Sequence, residues 1–222
     1  MKKIILSLLL LCAAVGIQAQ TDRDACWLNA TTGAWEWGFF KNFAVHDARQ
    51  WQYAAVKEGR KKTTVTLRSG KETLQLEIRY RNDSVCTIAV NDGKAQTYRL
   101  WDSAKGILSY LPADTAASRP CQFHEDSVML RGYLPDFPNQ NLEYIYYERF
   151  QDTQKIANVP TDSIGRFELS IPVLGRTEVL FHIQSFGFHL LLSPQSECFL
   201  WIKGNSFLMM GEDGRINHEL SG

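Results

Sequence analysis

Leu74, Leu76, Ile78 and Tyr80 alternate with Gln75, Glu77 and Arg79, so an apolar residue falls at every second position. Period two puts successive side chains on opposite sides of an extended chain, which predicts a strand with one buried and one wet face. The same pattern runs upstream through Val65 and Leu67, set between Thr64, Thr66 and Arg68, and downstream through Cys86, Ile88 and Val90. Ser69-Gly70 and Asn82-Asp83-Ser84 supply turns between these runs. The tetrad NDGK (Asn91 to Lys94) reads as a tight hairpin in which Asp92-Gly93 accepts the positive φ the turn requires, with Gln96 to Trp101 as the returning strand. This is the pattern of an antiparallel meander. Before it, Trp35, Trp37 and Phe39 share one face of a strand, and Phe43, Val45, Trp51 and Tyr53 follow. Rings of that size can anchor the core of a small β-domain, because each removes a large apolar area from water.

The second half also reads as strands: Val128 to Leu134 around Gly132, Leu142 to Phe150 (LEYIYYERF), Phe167-Leu169-Ile171 after a turn at Ser163-Ile164-Gly165, and Val179-Phe181-Ile183. FHLLLSP and ECFLWIKG are nearly continuous apolar runs and predict strands buried on both faces. Asp213-Gly214 marks a turn, and Arg215 to Leu220 reads as the first turn of a helix. Between the halves, Pro112 to Pro120 (PADTAASRP) is small, polar and bounded by proline, the composition of a linker. The expected architecture is all-β: two antiparallel β-sandwich or barrel-like domains in tandem, with a short helical start at the C-terminus. The expected divisions are a leader at 1–19, a β-domain at 20–111, a linker at 112–122, a β-sandwich at 123–214 and a helix start at 215–222.

Charge and the N-terminus add a compartment. The opening MKKIILSLLLLCAAVGIQAQ has two lysines, an apolar core from Ile4 to Val15 and a small residue, Ala19, before Gln20. That run is too short to span a bilayer and reads as a secretory leader cut between Ala19 and Gln20, so a periplasmic or otherwise exported protein is expected, with no transmembrane segment after cleavage. Leu11 precedes Cys12 where lipidation needs a small residue, so a lipid anchor is not expected. The 222 residues carry 24 basic and 24 acidic side chains, which argues against a nucleic-acid partner, since that needs clustered Lys and Arg.

Four cysteines follow the leader: Cys26, Cys86, Cys121 and Cys198. They allow three pairings that spacing does not separate, and none forms a C-x-x-C, so the dithiol of thioredoxin-type chemistry is absent from this chain. The histidines His46, His124, His182, His189 and His218 fall in no zinc-binding spacing. His124-Glu125-Asp126 are neighbours on an extended chain and point to alternating faces, so they do not converge on one ion. No nucleophile elbow, phosphate loop or dinucleotide fingerprint is present. No catalytic, cofactor-binding or metal-ligating residue is therefore expected. Asn29-Ala30-Thr31 and Asn82-Asp83-Ser84 match glycosylation sequons.

The order VMLRGYLP, DSIGRFELSIP and then LLLSPQSECFLWIKGNSFLMMGEDGRINHEL resembles the β-sandwich that precedes the thioredoxin domain in exported thioredoxin-like disulfide reductases of the TlpA type. The family's DGxF turn corresponds to Ser163-Ile164-Gly165-Arg166-Phe167. Its L-x-P-G-D segment corresponds to Leu192, Ser193, Pro194, Gln195 and Ser196, with the glycine and aspartate replaced. Gly211, Asn217 and Leu220 meet its closing G-x-x-x-x-x-N-x-x-L pattern, and WEWGFF with the Trp51–Tyr53 strand resembles the extra β-region some members carry. The resemblance implies a non-catalytic scaffold or docking module. Its partners would be a C-terminal thioredoxin domain that holds the C-x-x-C, and envelope proteins. An alternative expectation is a stand-alone module that binds glycans through exposed Trp35, Trp37 and Trp51, or that binds another envelope protein.

Overall fold

The computed structural model describes residues 24–112, 126–148 and 153–221. The expected leader with its Ala19–Gln20 cut, the linker beyond Pro112, Cys121, His124, Glu125 and Phe150 lie outside the described residues. The chain forms two compact units, one holding residues 24–31, Glu36–His46 and Gln50–Trp101, the other Thr32–Trp35, Asp47–Arg49 and the described residues from Asp102 onward.

Eight strands make the first unit: β1 (Ala25–Asn29), β2 (Trp35–Phe39), β3 (Phe43–His46), β4 (Arg49–Glu58), β5 (Thr63–Ser69), β6 (Glu72–Asn82), β7 (Val85–Val90) and β8 (Gln96–Leu100). Each bonds to the next and β8 returns to β1, pairing Trp27 with Leu100, so the sheet closes into an antiparallel barrel. Of the two forms the pattern allowed, this half takes the barrel. Most of the period-two positions turn inward, and Trp27, Trp37, Trp51, Leu67, Leu76 and Ile88 share one core; Tyr80, near the end of β6, departs from the pattern and is 43% exposed. Closure leaves no edge strand for another chain to pair with. The NDGK turn sits one residue earlier than its Asp-Gly pair suggests. β7 runs to Val90, the Gly93 N–H donates to the Val90 carbonyl at 2.8 Å, and the positive φ angles fall on Asn91 (48°) and Asp92 (59°). Asn and Asp tolerate that region because their short polar side chains bond locally.

The second unit contains β9 (Asp126–Tyr133), β10 (Asn141–Glu148), β11 (Thr153–Pro160), β12 (Arg166–Val173), β13 (Thr177–Ile183), β14 (Phe186–Leu192), β15 (Glu197–Lys203), β16 (Ser206–Met210) and the helix α1 (Gly214–Leu220). They form two four-stranded sheets, in the orders β11-β10-β13-β14 and β12-β9-β15-β16. Leu142, Phe181 and Leu192 from the first sheet and Leu130, Ile171 and Leu200 from the second belong to one core. The sheets are not wholly antiparallel. β15 runs parallel to β9, with Cys198 beside Leu130 and Leu200 beside Gly132. It lies between β9 and β16, and five consecutive residues, Cys198 to Ile202, are buried, as its apolar run predicts. β14 departs from the same expectation: it ends its sheet, Leu190 and Leu192 are buried, and His189 and Leu191 point outward.

Two glycines of the quoted motifs have steric causes. Gly132 lies opposite Phe167 in the β9–β12 ladder, and a Cβ there would stand 2.2 Å from the Phe167 ring, so the ring covers the bare backbone. Gly165 has φ +94°, and a Cβ would come within 2.1 Å of the Leu134 carbonyl oxygen. Asp162 completes that turn by accepting from the backbone N–H groups of Ile164 and Arg166 and from Arg166 Nε at 2.7 Å. Burial pulls the Asp162 carboxyl upward, but these donors outweigh it and hold the group below the usual carboxylate range.

Candidate functional site: the C-terminal helix and the cleft beside it

A seven-residue helix is marginal alone, so α1 must draw its stability from tertiary contacts. Three side chains supply them. Asp213, buried just before the helix, accepts from the Ser193 N–H at 2.8 Å and from the Ser193 hydroxyl at 2.7 Å. The Ser196 hydroxyl stands 2.9 Å from the same carboxylate and 2.7 Å from the Ser193 carbonyl, with one hydrogen to share between them. Asn217 accepts from the Leu191 N–H at 2.7 Å and donates to the Leu191 carbonyl at 2.9 Å and the Asp213 carbonyl at 2.8 Å. His218 Nε2 accepts from the Met209 N–H at 2.8 Å, so the ring proton sits on Nδ1, which is buried and has no hydrogen-bond partner among the described residues. The imidazole stands edge-on to Phe207, and burial pushes its pKa down to about 4.

Consecutive residues of one helix thus hold the end strands of both sheets, Asn217 on β14 and His218 on β16. The resemblance quoted Ser193, Ser196 and Asn217 from separate stretches of sequence, and the structure brings all three to this joint. Sequence reading missed Asp213 and His218 as partners there. The signal that could have found them is the D-x-x-x-N-H spacing, which puts Asp213 and Asn217 one helical turn apart.

Beside α1 lies a cleft of about 760 Å³, bounded by Phe186 and Phe188 of β14, Ile202 and Phe207 of the β15–β16 hairpin, and Leu220. Its size is that of a small-ligand or peptide site. Glu178 and His189 stand exposed at its rim, with His189 Nδ1 2.9 Å from the Glu178 carboxylate.

The other candidates disperse. Trp35, Trp37 and Trp51 are 3%, 0% and 4% exposed, so they are packed in the protein and offer no platform for sugars. Cys26, Cys86 and Cys198 are buried, and Cys86 and Cys198 are free thiols. Burial raises the Cys86 thiol to about 12; burial, aided by the Asp213 carboxylate, raises Cys198 to about 12. Asn29 donates both amide hydrogens, to Glu36 and Gln96 at 3.0 Å each, and is buried, which leaves its sequon inaccessible. Asn82 is exposed, and its carbonyl oxygen accepts from the Ser84 N–H at 3.0 Å. Among the described residues, no three His, Cys, Asp or Glu side chains gather where a metal ion could be held, and no helix is long and apolar enough to cross a membrane. Compared with protein-family models, curated proteins and solved structures, the chain matches none.

Proposed function

We propose that this chain is the non-catalytic β-region of an exported thioredoxin-like thiol–disulfide oxidoreductase. Its two β-domains, a barrel and a β-sandwich, serve as the scaffold or docking module for a C-terminal thioredoxin domain. The observation that carries this reading is the clamped α1. A helix held to two sheets by Asp213, Asn217 and His218 is a stiff mount, suited to fixing the orientation of whatever it connects. The buried, high-pKa thiols support the division of labour. Thiol–disulfide exchange needs an accessible thiolate, and Cys86 and Cys198 are poor sources of one. The glycan-binding alternative loses its support with the burial of Trp35, Trp37 and Trp51.

The test is the reading frame beyond Gly222 in intact genomic sequence. The proposal expects a C-x-x-C within a βαβ pattern, and a stop codon immediately after Gly222 overturns it. Export is checked separately, by N-terminal sequencing of the mature protein, which should begin at Gln20.

A further inference from the structure

Of the contacts that hold α1 to the two sheets, one is sensitive to acid and the other is not. His218 Nε2 accepts from the Met209 N–H at 2.8 Å. A backbone N–H can only donate, so the bond lasts only while Nε2 keeps its lone pair. Protonation puts a hydrogen on Nε2 and sets two donors face to face. Asn217 has no such dependence. Its carboxamide accepts from the Leu191 N–H and donates to the Leu191 carbonyl, and neither role changes with pH.

The surroundings of His218 offer nothing to hold a charged ring. Its side chain is buried, and Nδ1 has no hydrogen-bond partner among the described residues. α1 packs against β16, β14 and the single turn Ile107–Ser109. β16 (SFLMM) and that turn (ILS) have no titratable side chain. The one on β14, His189, points outward to Glu178. On α1 itself Arg215 and Glu219 pair at 3.0 Å, and Asp213, just before the helix, is engaged by Ser193 and Ser196. An imidazolium here has to reach water, and reaching it means leaving Met209.

We propose that His218 is an acid-released latch: once protonated it lets go of β16, while Asn217 keeps α1 tethered to β14. This is a local opening, distinct from loss of the fold. The released ring takes up a proton with the ordinary histidine pKa of about 6.5, whereas the latched ring resists protonation down to about 4. Opening is therefore favoured as pH falls through that window and levels off below it. Between pH 7 and pH 5, where ordinary carboxylates stay ionised, the opening equilibrium should rise about twentyfold. In the scaffold reading the release turns a stiff mount into a one-point tether. The latch itself rests only on contacts within the second unit, so a stop codon after Gly222 would leave it standing.

The test is amide hydrogen exchange of the full chain at pH 7, 6 and 5, with each rate corrected for the intrinsic pH dependence of exchange. Opening at Met209 should rise about twentyfold across that range, and opening at Leu191 should stay within about threefold. His218→Gln supplies an amide oxygen that accepts without titrating, and should keep Met209 flat within about threefold. Met209 protection that does not change with pH overturns the proposal. So does a rise shared equally by Leu191, which marks unfolding of the unit and not release of one contact. Both comparisons are made in the parent chain, so they decide even where the glutamine variant does not fold. A Met209 rise that persists in folded His218→Gln overturns it too, in favour of another titrating group.

Discussion

Replacing Asn217 with alanine should release β14 from α1. The carboxamide makes three hydrogen bonds of 2.7, 2.9 and 2.8 Å, to the Leu191 N–H, the Leu191 carbonyl and the Asp213 carbonyl. At about 1 kcal/mol net for each, the ceiling is about 3 kcal/mol. Leu191 is half-buried, so its freed groups regain some water, and the expected loss is about 2 kcal/mol. A chain of two units need not unfold in one step, so a global midpoint alone is a poor readout. Amide hydrogen exchange at Leu191 reads the local opening directly, and a loss of about 2 kcal/mol speeds it roughly thirtyfold. Asn217→Asp is the discriminating control. It keeps an acceptor for the Leu191 N–H but sets a carboxylate against the Leu191 carbonyl, so it should open the edge at least as much as alanine does. If Leu191 exchange in Asn217→Ala stays within about twofold of the parent protein, the joint described above does not hold the edge.

His218 gives the second unit a pH dependence with a definite sign. Its folded pKa, about 4, lies below the ordinary histidine value near 6.5, so the unfolded chain takes up a proton first as pH falls. Stability should therefore drop between about pH 6.5 and pH 4, by up to about 3 kcal/mol from this group, and the part of the slope above about pH 5, where the carboxylates stay ionised, should vanish in His218→Gln, as followed by urea titrations across that window. Cys86 and Cys198 should resist a thiol-specific chromogenic reagent at pH 8 and react at once in denaturant. Modification of either in the native protein, located by peptide mapping, would contradict their burial. Gly165→Ala combines a positive φ with a Cβ 2.1 Å from the Leu134 carbonyl oxygen, and should lower the unfolding free energy, read by urea titration, by more than the roughly 1 kcal/mol that left-handed backbone alone costs a side chain.

Much of the fold is legible where one face of a strand is wet. Val65 and Leu67, Leu76 and Ile78, and Cys86 and Ile88 lie inward as their alternation requires, and β12 and β13 alternate in the same way. Legibility fails where a strand's neighbours decide its exposure. FHLLLSP and ECFLWIKG look alike as apolar runs, yet β15 has a strand on each side and β14 ends its sheet. Period and hydropathy are local, and position within a sheet is not. The rings of Trp35, Trp37 and Trp51 show the same limit, since a tryptophan-rich strand reads the same whether it fills a core or lines a surface.

The joint at α1 was legible only in fragments. Ser193, Ser196, Gly211 and Asn217 stand out as points of a family pattern, but nothing along the chain says that Asp213 takes the Ser193 hydroxyl or that Asn217 meets Leu191, 26 residues away. Residue order alone dictates an all-β chain, its turns and its inward-facing positions, because alternation and turn chemistry act over a few residues. Closure of the barrel, the parallel β9–β15 pair and the half-covered edge of β14 depend on which strands meet. Those meetings are settled by the burial of whole faces against one another, a property no short stretch of sequence carries.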